Sequence, residues 1–390
     1  MDFDFSDEQR QLHDVVRSFL GKEHPFERLL ATKRSGSGWD PKLWRGLAEL
    51  GVPAINVQVS LGGLGYGPQE TLALMDACGP TLLQEPLLSS AVIATALLNE
   101  FANAAPAADM LRSLARGECI AAVAHFEPDA RFDTRWVATR ARPDGESYRL
   151  DGHKAVVLHA GLADALLVSA RTAGETGDPH GVALFMVARG TPGLRLEEYS
   201  TIDGQRAAEV HLRDAKVAAA HRLGSADSAL PAIEAAFDIG LAALCAEAVG
   251  VMQAMLNATI EYLRTRQQFG QPIGRFQVLQ HRVAEMAIHL EQARSMSYLA
   301  ALRCSSADIG ERRRALSAAK VVIGDAGRFI GQQAVQLHGG MGMTDELPVS
   351  HWFKRLTAIG IMFGDSDTHV QRYAALLRGA AGTPSVAPPV

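Results

Sequence analysis

The sequence predicts an α+β fold in which a helical segment, a sheet and a second helical segment follow one another. Two changes in the spacing of apolar residues carry this prediction. Up to about residue 118 they recur at intervals of three and four, whereas residues 119–225 hold short β-rich or alternating runs separated by Gly, Pro and Asp. Helical spacing returns from about residue 226 to 378. Because a helix buries one face every 3.6 residues and a strand every second residue, these changes mark boundaries between domains.

The composition is that of an ordinary globular protein. The chain has 390 residues, 47% hydrophobic and 21% charged, with a formal net charge of −5, and this length is ample for two or three domains. The absence of a basic block argues against nucleic acid or an anionic membrane as a partner. The N-terminus is acidic, unlike a signal peptide, and no continuous apolar run reaches about 18 residues. The four cysteines are too widely spaced for a metal site. We therefore expect a cytoplasmic protein with no metal and no membrane insertion.

Residues 1–118 are expected to form an N-terminal helical domain. Ser6 is a helix N-cap, and Asp40, followed by proline, starts another helix that ends at Gly51. The glycine-rich stretch LGGLGYGPQE predicts a loop. No strand precedes it, so it is not a dinucleotide-binding motif. Two apolar runs, TLALMDACG and SSAVIATALLNE, predict buried helices.

Residues 119–225 are expected to form a middle domain with an antiparallel sheet, as a barrel or a sandwich. Its runs include CIAAVAHFE, YRLDGHKAVVLH, GVALFMVAR and AAEVHLRDAKV. Short runs of this kind between turn residues are typical of strands. Within the region, two stretches have the composition of turns: Arg142-Pro143-Asp144-Gly145 and Arg149-Leu150-Asp151-Gly152.

Residues 226–378 are expected to form a C-terminal helical bundle. A long helix runs to Arg266, a second follows the Gly/Pro-containing connection QQFGQPIGRF, and a third extends from near Glu311 to Leu337. These helices carry apolar residues on more than one face, which is typical of bundles that also contact another subunit. Residues 379–390 (GAAGTPSVAPPV) are expected to be a disordered tail.

The connection between the first two of these helices concentrates cations and amides. It carries Arg264, Arg266 and Arg275 together with Gln268, Gln271 and Gln277. Guanidinium groups and free backbone N–H groups at a helix start suit a diphosphate. The alternative is a solvated helical hairpin with surface arginines.

Two stretches resemble the signature segments of the acyl-CoA dehydrogenases, flavoenzymes of fatty acyl-CoA oxidation. Residues 266–277 read R-x-x-F-G-x-x-I-x-x-F-Q, and residues 334–355 read AVQLHGGMGMTDELPVSHWFKR. The N-terminal MDFDFSDEQRQLHDVVRSFL and the helix FDIGLAALCAEAVGVMQAM also fit, so the resemblance covers the chain to about residue 378. It implies a fold of N-terminal helical domain, middle antiparallel β domain and C-terminal four-helix-type bundle, in agreement with the periodicity.

The resemblance also implies FAD as the cofactor. It places Arg266, Gln268 and Phe269 on the FAD diphosphate and adenine, with Gln277 beside them. The partner subunit's copy of the second signature would add Gln336, Gly339 and Gly340. Two adjacent glycines let backbone approach a phosphate closely, although a plain helix C-cap is the alternative for this pair.

The middle domain departs from the family pattern in two places. The family's T-E-P-G-A-G-S-D appears as residues 126–133, FEPDARFD, and its W-I-T-N-G, which backs the isoalloxazine, as residues 156–160, VVLHA. Within the second stretch we assign Leu158 to the flavin, although a bulky aromatic and a hydroxyl are both absent. His159 is expected to be structural. Arg131 offers a new contact for an anion of CoA or for an acidic substrate tail.

The catalytic base is the third departure. The family's glutamate follows the second signature, where this chain has FGDSDTH. Counting from Gln336 places Phe363 at the base position, and counting back from Arg372 places Asp365 there. We expect Asp365 to be the base, with an N-cap of the last helix as the alternative.

A second candidate base lies on the long helix. Gly240 occupies the position that some family members use there, which excludes it. Glu247 lies two turns further along the same face. A carboxylate in this apolar stretch must be either functional or paired with an arginine.

The resulting expectation is flavin-dependent α,β-dehydrogenation of an acyl-CoA thioester to the trans-2-enoyl-CoA. In detail the chain looks most like the small-subunit branch of pimeloyl-CoA dehydrogenase, which implies a dicarboxylyl-CoA. Implied partners are an electron-transfer flavoprotein or similar acceptor, and subunits of a homotetramer or of a heterotetramer with a paralogous chain. The alternatives are a half-site subunit that completes a paralogue's FAD site, or an acyl-CoA oxidase relative.

Overall fold

The structure is a computed structural model that describes residues 4–224 and 229–380. The N-terminal segment contains six α-helices: α1 Asp7–Glu23, α2 Phe26–Ser35, α3 Pro41–Glu49, α4 Pro68–Cys78, α5 Thr95–Asn99 and α6 Ala105–Ala115. The Ser6 hydroxyl accepts from the N–H of Gln9, whose side chain accepts from the N–H of Ser6. This reciprocal capping box confirms the predicted helix start. Asp40 caps α3 as predicted.

The second of the two predicted buried helices differs from an ordinary α-helix. Its first part, Leu87–Ala94, is π-helical and continues directly into α5. All eight residues of the π-helical part are buried. π-Helical turns are uncommon and often lie at functional sites, and nothing in the apolar spacing distinguishes one from an α-helix.

The middle segment forms one eight-stranded sheet. The strands are β1 Ala121–Ala124, β2 Arg140–Asp144, β3 Ser147–Leu158, β4 Ala165–Arg171, β5 Val182–Ala188, β6 Leu194–Ser200, β7 Arg206–Ala218 and β8 Arg222–Leu223. Their order is β6-β7-β3-β2-β4-β5-β8, with β1 paired to β4. Most pairs are antiparallel as predicted, but β1 and β2 each pair with β4 in parallel. Long crossover connections permit this, because parallel neighbours cannot be joined by a hairpin.

The turn expected at residues 149–152 is wrong. Those residues lie inside β3, where the pairing with β7 shifts register between Leu150 and Gly152. The other predicted turn, at residues 142–145, agrees with the structure at its last residue: β2 and β3 are joined by a hairpin turn at Gly145, whose φ of 59° favours glycine. An Asp-Gly pair also suits an irregularity inside a strand, so composition alone could not separate the two cases.

The C-terminal segment is the predicted helical bundle. It contains α7 Ala229–Thr265, α8 Gln277–Arg303, α9 Ile309–His338, α10 Pro348–Ile361 and α11 Ser366–Ala380, with a small hairpin of β9 Gln267–Gln268 and β10 Gln271–Pro272 between α7 and α8. The predicted order of helix, sheet and helix is therefore confirmed. The exact domain boundaries stay a prediction. Of the expected tail, residues 381–390 lie outside the described residues.

Helix α7 is the central element of the fold. It packs against α4, α8 and α9. By length and composition this helix could cross a membrane, although its apolar residues do not form one continuous run. However, 83% of its most apolar 18-residue stretch is buried inside the fold. Its apolar surface is therefore covered by protein, as in the core helix of a globular domain.

Candidate active site

An apolar cavity of about 420 Å³ lies where the three segments meet. The π-helical segment contributes Ile93, the loop after β1 contributes Phe126, and α7 contributes Phe237. The remaining lining residues are Ser89, Val123, His125, Glu127, Pro128, Arg131, Phe132, Ala155, Val156, Leu158, Ala358, Ile361, Met362 and Phe363. Its size and apolar walls are those of a small-molecule site.

Among the described residues, Glu127 is the only carboxylate that lines this cavity, and it is already engaged. Its Oε1 lies 2.7 Å from Nζ of the fully buried Lys154. The same carboxylate accepts from the Thr139 hydroxyl and from the N–H of Ala138. Burial raises the pKa of Glu127, but the charge of Lys154 and these hydrogen bonds lower it further, so the net shift is downward. Glu127 is therefore a permanently ionised structural anion rather than a free base.

One of the two alignments places Phe363 at the position of the family's catalytic base. Phe363 lines the apolar cavity, and its φ of 60° is unusual for a bulky residue. Its ring packs against Phe237, with centroids 5.5 Å apart, and Phe237 packs against Phe126 at 5.0 Å. These three aromatic rings also line a second, larger cavity of about 790 Å³.

Asp365 stands at the start of α11. Its Oδ1 accepts from the N–H of Thr368 at 2.8 Å, which is the N-cap geometry of the alternative interpretation. Hydrogen bonds from Thr368 lower the pKa of this carboxyl. Asp365 lines neither of the two cavities, so the structure does not bring it to the cavity.

Glu247 is buried and paired. Its two oxygens each lie 2.6 Å from the Arg355 guanidinium, at Nε and Nη2. Asp203, in the loop between β6 and β7, accepts from Nη1 of the same arginine at 2.7 Å. Burial lowers the pKa of Arg355, but the two carboxylates raise it more. This arrangement corresponds to the structural pair that the sequence left open as an alternative.

The residues assigned to FAD fall into two groups. Leu158 lines the apolar cavity. The other seven are solvent-exposed and do not line it: Arg266, Gln268, Phe269, Gln277, Gln336, Gly339 and Gly340. Phe269, at the tip of the β9–β10 hairpin, is 88% exposed. Gly339 follows α9 with a φ of 59°, so it also serves as the helix C-cap.

Two further groups are buried beside the cavity: His159, which was expected to be structural, and Glu85, which was not among the expected site residues. His159 accepts at Nδ1 from the hydroxyl of Ser89 (2.8 Å) if its Nε2–H donates to the carbonyl of Gln84 (3.0 Å). Burial lowers the pKa of His159 to about 4, so the ring is neutral and joins the sheet to the π-helical segment. Glu85 lines a chamber of about 30 Å³ behind Leu158, together with Glu247 and Arg355. Burial raises the pKa of Glu85 to about 7, an effect no sequence pattern indicates.

Comparison with known families defines the class to which this fold belongs. Residues 6–118, 122–215 and 230–377 match the family models described as acyl-CoA dehydrogenase N-terminal, middle and C-terminal domains. These matches span all three segments and define a flavin-dependent oxidoreductase. The chain belongs to the acyl-CoA dehydrogenase family. The general reaction of the family is the dehydrogenation of acyl-CoA thioesters.

Individual relatives resemble the chain over nearly its whole length. An L-prolyl-[peptidyl-carrier protein] dehydrogenase from Pseudomonas fluorescens is 32% identical over 94% of this chain and 97% of the relative. The ChsE4-ChsE5 complex from Mycobacterium tuberculosis contains a chain that is 28% identical with a TM-score of 0.87, covering 99% of this chain and 100% of that one. Butyryl-CoA dehydrogenase from Megasphaera elsdenii is 25% identical with a TM-score of 0.88, covering 97% and 100%.

Proposed function

We propose that this chain is the half-site subunit of a heteromeric acyl-CoA dehydrogenase. In this assembly its two signature segments hold the adenosine diphosphate part of FAD, while a paralogous subunit binds the flavin ring and supplies the base. The observation that carries the proposal is the state of the carboxylates. Within residues 4–224 and 229–380, Glu127 alone among them reaches the apolar cavity, and it is bound to Lys154.

The ring-binding side of the site fits FAD poorly. Val156 and Leu158 stand where the family has an aromatic residue and a hydroxyl, so stacking and a hydrogen bond to the ring are both lost. Phe132 replaces the serine of the other motif. When bound, FAD accepts a hydride from the substrate, and that chemistry needs the ring held flat beside a base. Among the described residues that line the cavity, none is an uncommitted base, and Val156 replaces the aromatic residue that backs the ring in the family.

The diphosphate-binding side fits well. Arg266 is exposed, and the adjacent hairpin presents Gln268 and Phe269 to solvent. Since these residues do not line the chain's own cavity, a flavin that contacts them can extend into a neighbouring subunit. Gly339 and Gly340 leave space for a phosphate, because a Cβ added at either would meet nothing within 4 Å. The similarity to a chain of the ChsE4-ChsE5 complex supports a heteromer of two related chains.

The substrate proposal is an acyl thioester. The resemblance to the pimeloyl-CoA branch favours a dicarboxylyl-CoA, and the similarity to a peptidyl-carrier-protein dehydrogenase adds a carrier-bound thioester as a second form. An electron-transfer flavoprotein is the proposed electron acceptor, and a tetramer is the proposed assembly.

The test begins with purification of the chain alone and together with a paralogous chain from the same organism that carries the glutamate. We expect a colourless protein alone and a yellow complex that is bleached by butyryl-CoA. In the complex, Arg266→Ala should lower FAD occupancy with the fold retained, because a charge-assisted contact to phosphate is lost. Arg17→Ala, an exposed arginine on α1, is the matched control.

A yellow chain that is bleached by butyryl-CoA without any partner would overturn the half-site proposal. In that event the choice between Asp365 and Glu247 reopens. Loss of bleaching in Asp365→Asn with activity kept in Glu247→Gln would assign the base to Asp365, and the reverse result would assign it to Glu247. Turnover with oxygen alone would then identify an oxidase.

A further inference from the structure

The apolar cavity and the larger cavity are neighbours that share part of their walls. Phe126, Arg131, Phe132, Phe237 and Phe363 line both of them. Four of these five residues are aromatic, and the fifth is a cation. A ligand that occupies both cavities can therefore contact Arg131 and the apolar walls at once.

Four arginines line the larger cavity, and two of them pair with carboxylates. Arg135 lies 3.2 Å from Asp133, and Arg313 lies 2.6 Å from Glu234. By contrast, within the described parts of the chain Arg131 has no carboxylate partner. Its charge is therefore free to receive an anion.

A second guanidinium stands near the same junction. Arg372 donates to the main-chain carbonyls of Phe132 and Phe363, both of which line the two cavities. Carbonyl oxygens do not cancel its charge, and none of the described carboxylates forms an ion pair with it. Because Arg372 is half-buried, its field is screened less than that of a fully exposed arginine.

The backbone at Arg131 supports a specific placement. Its φ of 47° lies in the left-handed region, which a residue with a long side chain rarely adopts. Such a conformation is strained and is found preferentially at binding and active sites. The loop thus holds a cation in the wall that the two cavities share.

We propose that this pair of cavities binds the free carboxylate of an aliphatic acid without turning it over, with the carboxylate on Arg131 and the chain among the aromatic and aliphatic walls. The inference rests on the proposed function in one respect, since the apolar cavity must be free of a flavin ring. A guanidinium pairs well with a carboxylate because its fork of N–H donors matches the two oxygens. The acid is a ligand here, because none of the described residues that line the apolar cavity offers an uncommitted base.

The experiment compares two probes of equal chain length on the purified chain by calorimetry: dodecanoate and dodecan-1-ol. Arg131→Ala should weaken dodecanoate binding by about tenfold or more, the loss expected for a charge-assisted hydrogen bond. The affinity for dodecan-1-ol should not change. Arg131→Lys should restore part of the difference. Arg135→Ala is the matched control, since that arginine lines the larger cavity but is already paired.

Three outcomes would overturn the inference. The first is no dodecanoate binding by the wild-type chain. The second is an equal loss of affinity for both probes, which would mean that Arg131 contributes packing and not charge. The third is a loss confined to coenzyme A, tested in parallel without an acyl chain, which would make Arg131 a phosphate contact. Flavin absorbance of the same sample separates the two proposals: a yellow sample refutes the half-site function, whereas a colourless sample that binds no dodecanoate refutes only this inference.

Discussion

Glu247 and Asp365 show how local surroundings decide the role of a carboxylate. Both were candidates for the same catalytic task because each has a positional argument in the sequence. In the structure one is clamped by Arg355 and the other caps α11. The cap of α11 is a local contact that the sequence offered as an alternative for Asp365. Sequence spacing could not identify Arg355 as the partner of Glu247, because the two residues are 108 positions apart.

Glu247→Gln should destabilise the protein by about 3–5 kcal/mol, because it leaves the buried Arg355 guanidinium short of a negative charge. Denaturant unfolding measures the change. Asp365→Ala is the comparison, and loss of an N-cap should cost only about 1 kcal/mol. A neutral or stabilising effect of Glu247→Gln would show that the charge pair is not formed in solution.

Glu85 should make stability depend on pH in a specific window. Its folded pKa of about 7 lies above the ordinary value of 4.5, so the folded protein binds more protons than the unfolded chain between these two values. Stability contributed by this group is therefore lost as pH rises from about 4.5 to 7. Glu85→Gln should raise the unfolding free energy at pH 8 by up to about 3 kcal/mol and leave it nearly unchanged at pH 4.

A parallel rise at both pH values would contradict that account, because it would mean that the substituted glutamine packs better for reasons unrelated to charge. The buried neutral His159 provides an internal contrast. Its pKa of about 4 lies below the ordinary 6.5, so its contribution to stability falls as pH decreases from about 6.5 to 4. His159→Gln should flatten the profile in that range.

At the scale of elements, the predictable features were those with a local cause. Ser6 and Asp40 predicted the starts of two helices, because a side-chain oxygen before a helix accepts hydrogen bonds from the free N–H groups of its first turn. The helices α7, α8 and α9 were predictable from the spacing of their apolar residues. The π-helical segment and the parallel pairing of β1 with β4 could not be predicted, because both depend on what the segment packs against.

Two glycines allow the helices α4 and α7 to approach closely. A Cβ at Gly250 would lie 2.2 Å from the carbonyl oxygen of Asp76, and one at Gly79 would lie 2.5 Å from that of Glu247. Both clashes are with backbone, which cannot rotate away. The close approach of α4 to the central helix thus depends on these positions.

Gly250→Ala should therefore lower the melting temperature even though alanine is the better helix former by about 1 kcal/mol. Overpacking against a backbone carbonyl costs about 1–3 kcal/mol and should outweigh that gain. Gly21→Ala, in α1, is the matched control, because a Cβ there meets nothing within 4 Å. That variant should be neutral or slightly more stable, and an equally stable Gly250→Ala would argue against the close packing.

At the scale of the whole molecule, the C-terminal segment leaves large apolar side chains uncovered. Val278 and Ile288 on α8 are 61% and 58% exposed. We expect these two residues to belong to a contact with another subunit, because helices with more than one apolar face are typical of bundles that associate. The sequence indicated this surface through helices with more than one apolar face, but it could not say which face stays free, because that depends on how the helices pack.

We expect the chain to form at least a dimer at micromolar concentration, measured by light scattering. A double variant, Val278→Glu with Ile288→Glu, should shift it towards monomer by placing charges in the contact. Val59→Glu, at an equally exposed apolar residue of the N-terminal segment, should have no such effect. A stable monomeric wild type would be evidence against both proposed assemblies.

The Arg355 cluster has a consequence for the modular exchange of segments between relatives. Arg355 and Glu247 come from the C-terminal segment, Asp203 from the sheet, and Lys33 of α2 donates to the main-chain carbonyl of Asp203 at 3.0 Å. One cluster thus joins all three segments. Consider a chimaera whose sheet comes from a relative that lacks a carboxylate at position 203. In that chimaera the buried Arg355 guanidinium keeps Glu247 as a partner but loses the second negative charge. A graft should therefore fold stably only when the donor sheet keeps the carboxylate at position 203 as the partner of Arg355, even though Asp203 belongs to neither signature segment.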